Sequence, residues 1–255
     1  MTDDLARLDR PAPGVAVLTL NRPAKYNALS GALLTAADQR LAELAVQAAG
    51  GDLRALVLTG ADPAFCAGLD LTELGQPGAI PAGALRLLFD FPVPVLGAIN
   101  GVAVTGGLEV ALACDFRIGS ERARFADTHA RVGVTPAWGL TARLPQAVGQ
   151  SWARQMSFTG DFVDAATALR IGLLNEVVPH DDLLDRAVQL ATSIASTDAG
   201  TAGRIRGLYD TSRDQSGAAA LAAEQELAAD GVRVADPESF GARRAAVFER
   251  GRAQR

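Results

Sequence analysis

Lysine is almost missing from this sequence. Among 255 residues only Lys25 carries an ammonium group, nearly all other positive charge is arginine, and the formal net charge is −5. An acidic chain of this kind excludes general binding to nucleic acid or to anionic membranes, since both need a basic face. A small anionic ligand stays open, because a few arginines and a helix N-terminus are enough to hold one. Histidine is nearly as scarce: His129 and His180 are the only two, which excludes a histidine-rich metal site, and no metal is expected. The two cysteines, Cys66 and Cys114, form neither a CxxC pair nor a disulfide framework, so a reduced, cytoplasmic setting is expected. The N-terminal MTDDLARLDR has no apolar h-region, and no signal peptide is read there. The most apolar stretch, residues 95–114, is interrupted by Asn100, Thr105, Glu109 and several glycines, which rules out a spanning helix. Dinucleotide, Walker, GxSxG and HExxH motifs are also absent.

What is present is a large apolar fraction, 49% against 21% charged, with no segment of disordered composition and no internal repeat. Residues 14–21 are a β-rich run, 53–59 and 94–99 read as buried strands, and 116–119 as a strand. Ser30 caps a helix to about residue 48, with Leu33, Leu34, Ala37, Leu41 and Leu44 at helical spacing. Shorter helices are expected at 82–90 and 108–113. The alternation argues an α/β architecture with parallel pairing. Beyond residue 130 the pattern is mainly helical, at 146–157, 164–171, 181–196, 199–212, 217–230 and 236–250. Helices past about 195 have no strands left to cover and are expected to pack as a separate lobe or on a partner subunit. The division is therefore residues 1–195 as core and 196–255 as a helical C-terminal region.

Two glycine-rich loops carry the chemistry. The first, Ala64-Phe65-Cys66-Ala67-Gly68-Leu69-Asp70, follows a strand, and its small residues leave the Leu69 amide open to a ligand. The second runs from Asn100 to Glu109 through Gly106-Gly107 and enters a helix, placing free N–H groups at a positive dipole end. Glu109 falls in that first turn. There it either complements the helix dipole or acts as a base beside oxyanion donors, which suits proton transfer at a carbon next to a carbonyl.

The segments NRPAKYNALS, ALVLTGADPAFCAGLDL, FPVPVLGAINGVAVTGGLEVALACDFRI, RFADTHARVGVTPAWGLTARLP and LRIGLLNEVVP occur in that order. Through them the chain resembles the enoyl-CoA hydratase/isomerase (crotonase) family over most of its length. The resemblance implies a spiral of ββα units with a helical C-terminal trimerisation region, in homotrimers or homohexamers. It implies an acyl-CoA substrate whose coenzyme A is part of the thioester, with no separate cofactor. Leu69 and Gly106 match the family's oxyanion hole, and Glu109 matches its first catalytic glutamate. Lys25 and Ala28, the loop residues Ala64, Ala67, Gly68, Asp70 and Leu71, and Pro136 fall where the family grips CoA and substrate.

The second catalytic glutamate of a hydratase lies four residues after the phenylalanine of a segment like FGQPE. Here that register reads Phe125-Ala126-Asp127-Thr128-His129, so histidine replaces the acid. His129, or Asp127 if the loop shifts, is expected to handle the α-proton; His129 can also serve only to shape the pocket. His180 reads as a surface or capping residue, Trp138 and Phe65 as pocket wall or core, and Cys66 as small filler. The expected reaction is hydration of a 2-enoyl-CoA. Enoyl-CoA isomerisation, decarboxylation or C–C cleavage on the same oxyanion hole, and silent acyl-CoA binding, are the competing readings.

Overall fold

In the computed structural model the described residues are 5–199 apart from 77 and 79, with scattered helical positions between 202 and 252. The chain opens with an antiparallel hairpin of β1 (Ala6–Ala12) and β2 (Val15–Leu20). Helix α1 (Gly31–Ala49) follows, its N-terminus capped by Ser30, whose hydroxyl accepts from the Leu33 N–H. Then come β3 (Ala55–Gly60), β4 (Ala64–Cys66) and the single turn α2 (Arg86–Phe89). The next unit is β5 (Val95–Ile99), β6 (Val102–Val104) and α3 (Gly106–Ala113). A further unit contains β7 (Phe116–Ser120), β8 (Arg124–Ala126), α4 (His129–Val132) and α5 (Leu140–Thr159). The described part closes with β9 (Val163–Asp164), α6 (Ala165–Arg170), β10 (Glu176–Val178) and α7 (Leu183–Ala195).

The strands sort into two sheets, ordered β1-β2-β3-β5-β7-β10 and β4-β6-β8-β9. In the pairs β3-β4, β5-β6 and β7-β8 the first strand joins the large sheet and the second joins the small one, whereas β1 and β2 both lie in the large sheet. Apart from β1 and β9 at the edges, all pairing is parallel. β2, β3 and β5 are buried along their whole length. This is why they read as continuous apolar runs rather than alternating ones. Leu33, Leu34 and Leu41 of α1 pack on one face of the large sheet. Leu183, Ala187 and Ala191 of α7 pack on the other, against Val15, Val57 and Ile118.

The parallel α/β reading of the first half holds, and several boundaries move. The helix expected at 82–90 is confined to Arg86–Phe89, and the one expected at 146–157 begins at Leu140, contains Pro145 and breaks at Gly149, whose φ is 77°. The region past residue 130 is not purely helical, because β9 and β10 complete the two sheets. β1 was not expected: its sequence ARLDRPA is polar and holds a proline, which only an edge strand tolerates. Most of the helices expected at 199–212, 217–230 and 236–250 lie outside the described residues. Among the described residues no helix is long and apolar enough to cross a membrane.

Candidate active site

The small sheet builds the site. Its parallel neighbours β4, β6 and β8 end side by side, so the segments leaving their carboxyl ends are forced together. These are Ala67–Leu69, Thr105–Gly106 and Asp127–His129. Glycine permits the close approach. A Cβ on Gly68 would stand 2.7 Å from the Val104 carbonyl oxygen, and one on Gly107 only 2.0 Å from the Cys66 oxygen. A Cβ on Gly106 would lie 3.5 Å from the Leu69 nitrogen, so the two amide groups share one corner. Neither the Leu69 nor the Gly106 N–H has an acceptor among the described residues. The Gly106 amide belongs to the first turn of α3, where N–H groups have no intrahelical partner.

Glu109, one turn into α3, is only 3% exposed. Its Oε1 accepts the backbone N–H of Trp138 at 2.8 Å, and its Oε2 faces His129 Nε2 at 3.7 Å. His129 Nδ1 lies 2.7 Å from Asp127 Oδ1, which also accepts the His129 backbone N–H at 3.1 Å. An ionised carboxylate only accepts, so Nδ1 carries the proton and Nε2 is turned toward Glu109. The result is a buried row, Asp127–His129–Glu109, opening onto a cavity of about 450 Å³. Leu69, Thr105, Glu109, Thr128, His129 and Trp138 are among the residues lining it. Leu74, Val132 and Val134 form an apolar cluster along the same cavity. A larger groove of about 760 Å³ lies at the other end of α3, beside Cys114 and Arg117, and contains neither glycine loop.

The other residues singled out from the sequence divide. Lys25, Ala28, Ala67, Asp70 and Leu71 line the cavity. Ala64, Gly68 and Pro136 do not. Ala64 is a fully buried strand residue whose carbonyl accepts from Asn27, and it serves the loop from behind. Asp70 is already occupied: its carboxylate takes Arg22 at 2.7 Å and the Thr72 hydroxyl and N–H. Burial would raise its pKa, but Thr72 and Arg22 outweigh that and hold it below the usual carboxylate range. Asp127 does not enter the cavity as a substitute acid; at 1% exposure it stands behind His129. His180 is no surface cap either. Its ring joins Ser120 Oγ at 3.3 Å to Asp62 at 3.1 Å, tying β10 to the strand ends of the large sheet. Trp138 lines the cavity, and Phe65 is core. Burial pushes both thiols, Cys66 and Cys114, up to about 12, so they are inert filler.

Sequence reasoning missed Asn27, Thr105 and the Trp138 amide. Asn27 is fully buried, and its Nδ2 donates to the Ala61 and Ala64 carbonyls, clamping the first glycine loop to the Lys25–Ala28 turn. Only the AKYNALS segment signalled it.

The Asp127–His129 pair also carries a pH-dependent share of stability. Burial raises the Asp127 pKa, but its bonds to His129 and Ser157 and the His129 charge more than compensate, and the net shift is downward. A depressed acid contributes its stabilisation above the unfolded pKa of about 3.9 and loses it as pH falls through the folded value. Asp127→Asn is therefore expected to unfold at lower urea concentration than wild type at pH 7. The gap should begin to narrow below about pH 4 and close only as pH falls through the lower folded value, where native Asp127 is protonated too. A gap independent of pH would exclude an ionised Asp127.

Fold and cavity define a crotonase-type α/β protein, with two neighbouring backbone N–H groups that have no acceptor among the described residues and a buried carboxylate one turn further along α3. The family model for enoyl-CoA hydratase/isomerase matches residues 10–251. The chain belongs to the enoyl-CoA hydratase/isomerase family. It is 46% identical to the enoyl-CoA hydratase from Mycobacterium smegmatis, with a TM-score of 0.79 over 89% of this chain and 98% of that one. The short-chain-enoyl-CoA hydratase of Clostridium acetobutylicum is 37% identical over 191 residues, covering 71% of this chain and 72% of the relative. A monofunctional enoyl CoA isomerase from M. smegmatis is 32% identical, with a TM-score of 0.72 over 83% and 95% of the two chains.

Proposed function

We propose that the protein hydrates a 2-enoyl-CoA thioester. The observation that carries this is the Leu69 residue and the Glu109 carboxylate lining one cavity, with the Gly106 amide in the corner beside Leu69 and neither N–H given an acceptor among the described residues. The thioester oxygen accepts both N–H groups at the positive end of α3. The water oxygen bonds to Cβ while the C=C electrons move onto the carbonyl as an enolate. Glu109 takes the proton that water gives up, and His129, protonated and flanked by Asp127, gives one to Cα. The proton on Glu109 then returns to His129 across the 3.7 Å gap, which resets both groups. Water is consumed, and no other reactant is needed.

Coenzyme A enters only as part of the substrate, with Lys25 at the cavity edge as its one lysine contact. The apolar cluster of Leu74, Val132 and Val134 suits a hydrocarbon acyl chain. A homotrimer or homohexamer fits the exposed apolar side chains of Val46 and Phe158, which a second copy would cover. Residues 196–255 are assigned to such contacts, and free buried thiols suit a reducing, cytoplasmic compartment.

Incubating the protein with crotonyl-CoA and longer, branched and aromatic 2-enoyl thioesters should give products one water heavier by mass spectrometry. If no thioester gains water while one is bound tightly, the protein is a silent acyl-CoA binder. The similarity to a solved enoyl CoA isomerase favours double-bond migration as a second reading, with Glu109 as the single base. A 3-enoyl-CoA converted without change of mass would identify it.

A further inference from the structure

Two threonines bind the oxyanion loop to the histidine loop. Thr105 Oγ1 and Thr128 Oγ1 are 2.5 Å apart, and the Thr128 N–H donates to Thr105 Oγ1 at 3.2 Å. The Thr105 N–H in turn donates to the Ala126 carbonyl at 2.9 Å. Each threonine immediately precedes a group of the site: Thr105 precedes Gly106, and Thr128 precedes His129. Both line the cavity.

The backbone of Thr105 makes this bridge more than ordinary packing. Its φ of 54° and ψ of −113° lie where a β-branched residue is a rare outlier and glycine is at ease. Such a conformation persists only when its surroundings over-determine it, and it clusters at sites whose geometry matters. Here the determining contacts are the two hydrogen bonds from the β8–α4 turn. The strained φ and ψ set the plane of the Thr105–Gly106 peptide, and therefore the direction of the Gly106 N–H.

We infer that Thr105 and Thr128 form a positioning bridge that holds the Gly106 amide and the His129 imidazole at a fixed mutual geometry. The inference rests on the proposed use of Gly106 as an oxyanion donor. It makes stability and activity move in opposite directions at Thr105, which a purely structural bridge would not do.

Three variants test it: Thr128→Val, which removes a hydroxyl at nearly constant shape, Thr105→Gly, which relaxes the backbone, and Thr105→Ser, which keeps the bridge. Misplacing a reacting group by about 1 Å costs on the order of 10²-fold. Thr128→Val and Thr105→Gly are therefore expected to lower kcat for a 2-enoyl thioester about tenfold or more. KM should stay within about twofold, because substrate binding is spread over the whole cavity. Thr105→Ser should restore most of kcat, and Thr105→Gly should melt no lower than wild type. A second readout needs no hydration: acetoacetyl-CoA, whose bound enolate absorbs in the near ultraviolet, should show a weaker enolate band with Thr128→Val. Wild type that forms the enolate band but adds no water would sink the hydratase reading and leave the bridge standing. Unchanged kcat and an unchanged enolate band in both Thr128→Val and Thr105→Gly would overturn the bridge, as would a wild type with no enolate band.

Discussion

Glu109→Gln is expected to lower kcat for hydration by about 10²–10⁴-fold, the usual contribution of a positioned general base. At about 1.36 kcal/mol per decade this is roughly 3–5 kcal/mol of transition-state stabilisation. The substitution is clean because the amide has the shape of the carboxylate. Its oxygen still accepts the Trp138 N–H that now reaches Oε1 at 2.8 Å. Its NH₂ would face His129 Nε2, which Oε2 now faces at 3.7 Å, and can bond it once the imidazole is neutral with its proton on Nδ1. Folding should therefore be nearly unaffected, and thioester affinity, held by the Leu69 and Gly106 amides, should change by no more than a few-fold. The measurement pairs initial rates on crotonyl-CoA with calorimetric binding of the same thioester to the slow variant. Full activity would remove Glu109 from the mechanism. Loss of binding together with activity would instead make it a structural cap on α3.

The sequence displayed the donors of this site more clearly than the way its parts are linked. Gly68 and Gly107 are legible because close backbone approach leaves no room for a side chain, and the structure places a carbonyl oxygen against each; at Gly106 a Cβ would only press on the Trp138 ring at 3.3 Å. The buried strands are legible because a parallel sheet covered on both faces needs unbroken apolar runs. β4, β6 and β8 are not. At three residues each they are too short for any periodicity, yet their order in the small sheet is what brings the three loops together. The Trp138 amide was also hidden, since a backbone donor leaves no mark in the identity of its side chain. Asp127 and His129 were visible as residue types, but their roles depend on burial. Asp127 reads as an acid available to the substrate until its 1% exposure and its 2.7 Å bond to His129 place it behind the imidazole.

That dependence gives the second large effect. His129→Gln is expected to lower hydration by about 10²-fold or more, because the amide fills the space of the ring but transfers no proton. In D₂O the wild-type product should carry deuterium at Cα, and the variant should incorporate it only as slowly as it hydrates. Restoring the family's glutamate by His129→Glu is not expected to rescue activity. The new carboxylate would meet Asp127, which loses with His129 the hydrogen bond and charge that held its pKa down against burial, on one side and Glu109 on the other. Three buried acids without a cation between them cannot all ionise, so a carboxyl is forced to stay protonated, or the loop moves away. Replacing Asp127 as well, in Asp127→Gln/His129→Glu, removes one charge and recreates the neutral-then-acid order of the FGQPE segment. The double variant should therefore recover hydration to within about tenfold of wild type, although each single change lowers it; such coupling is the mark of residues sharing one network. If His129→Glu alone were as active as wild type, Asp127 and His129 would not act as a unit. If His129→Gln abolished hydration but still moved the double bond of a 3-enoyl-CoA, Glu109 would be sufficient as the base for isomerisation. Asp127 and His129 would then be the additional machinery that adding water requires.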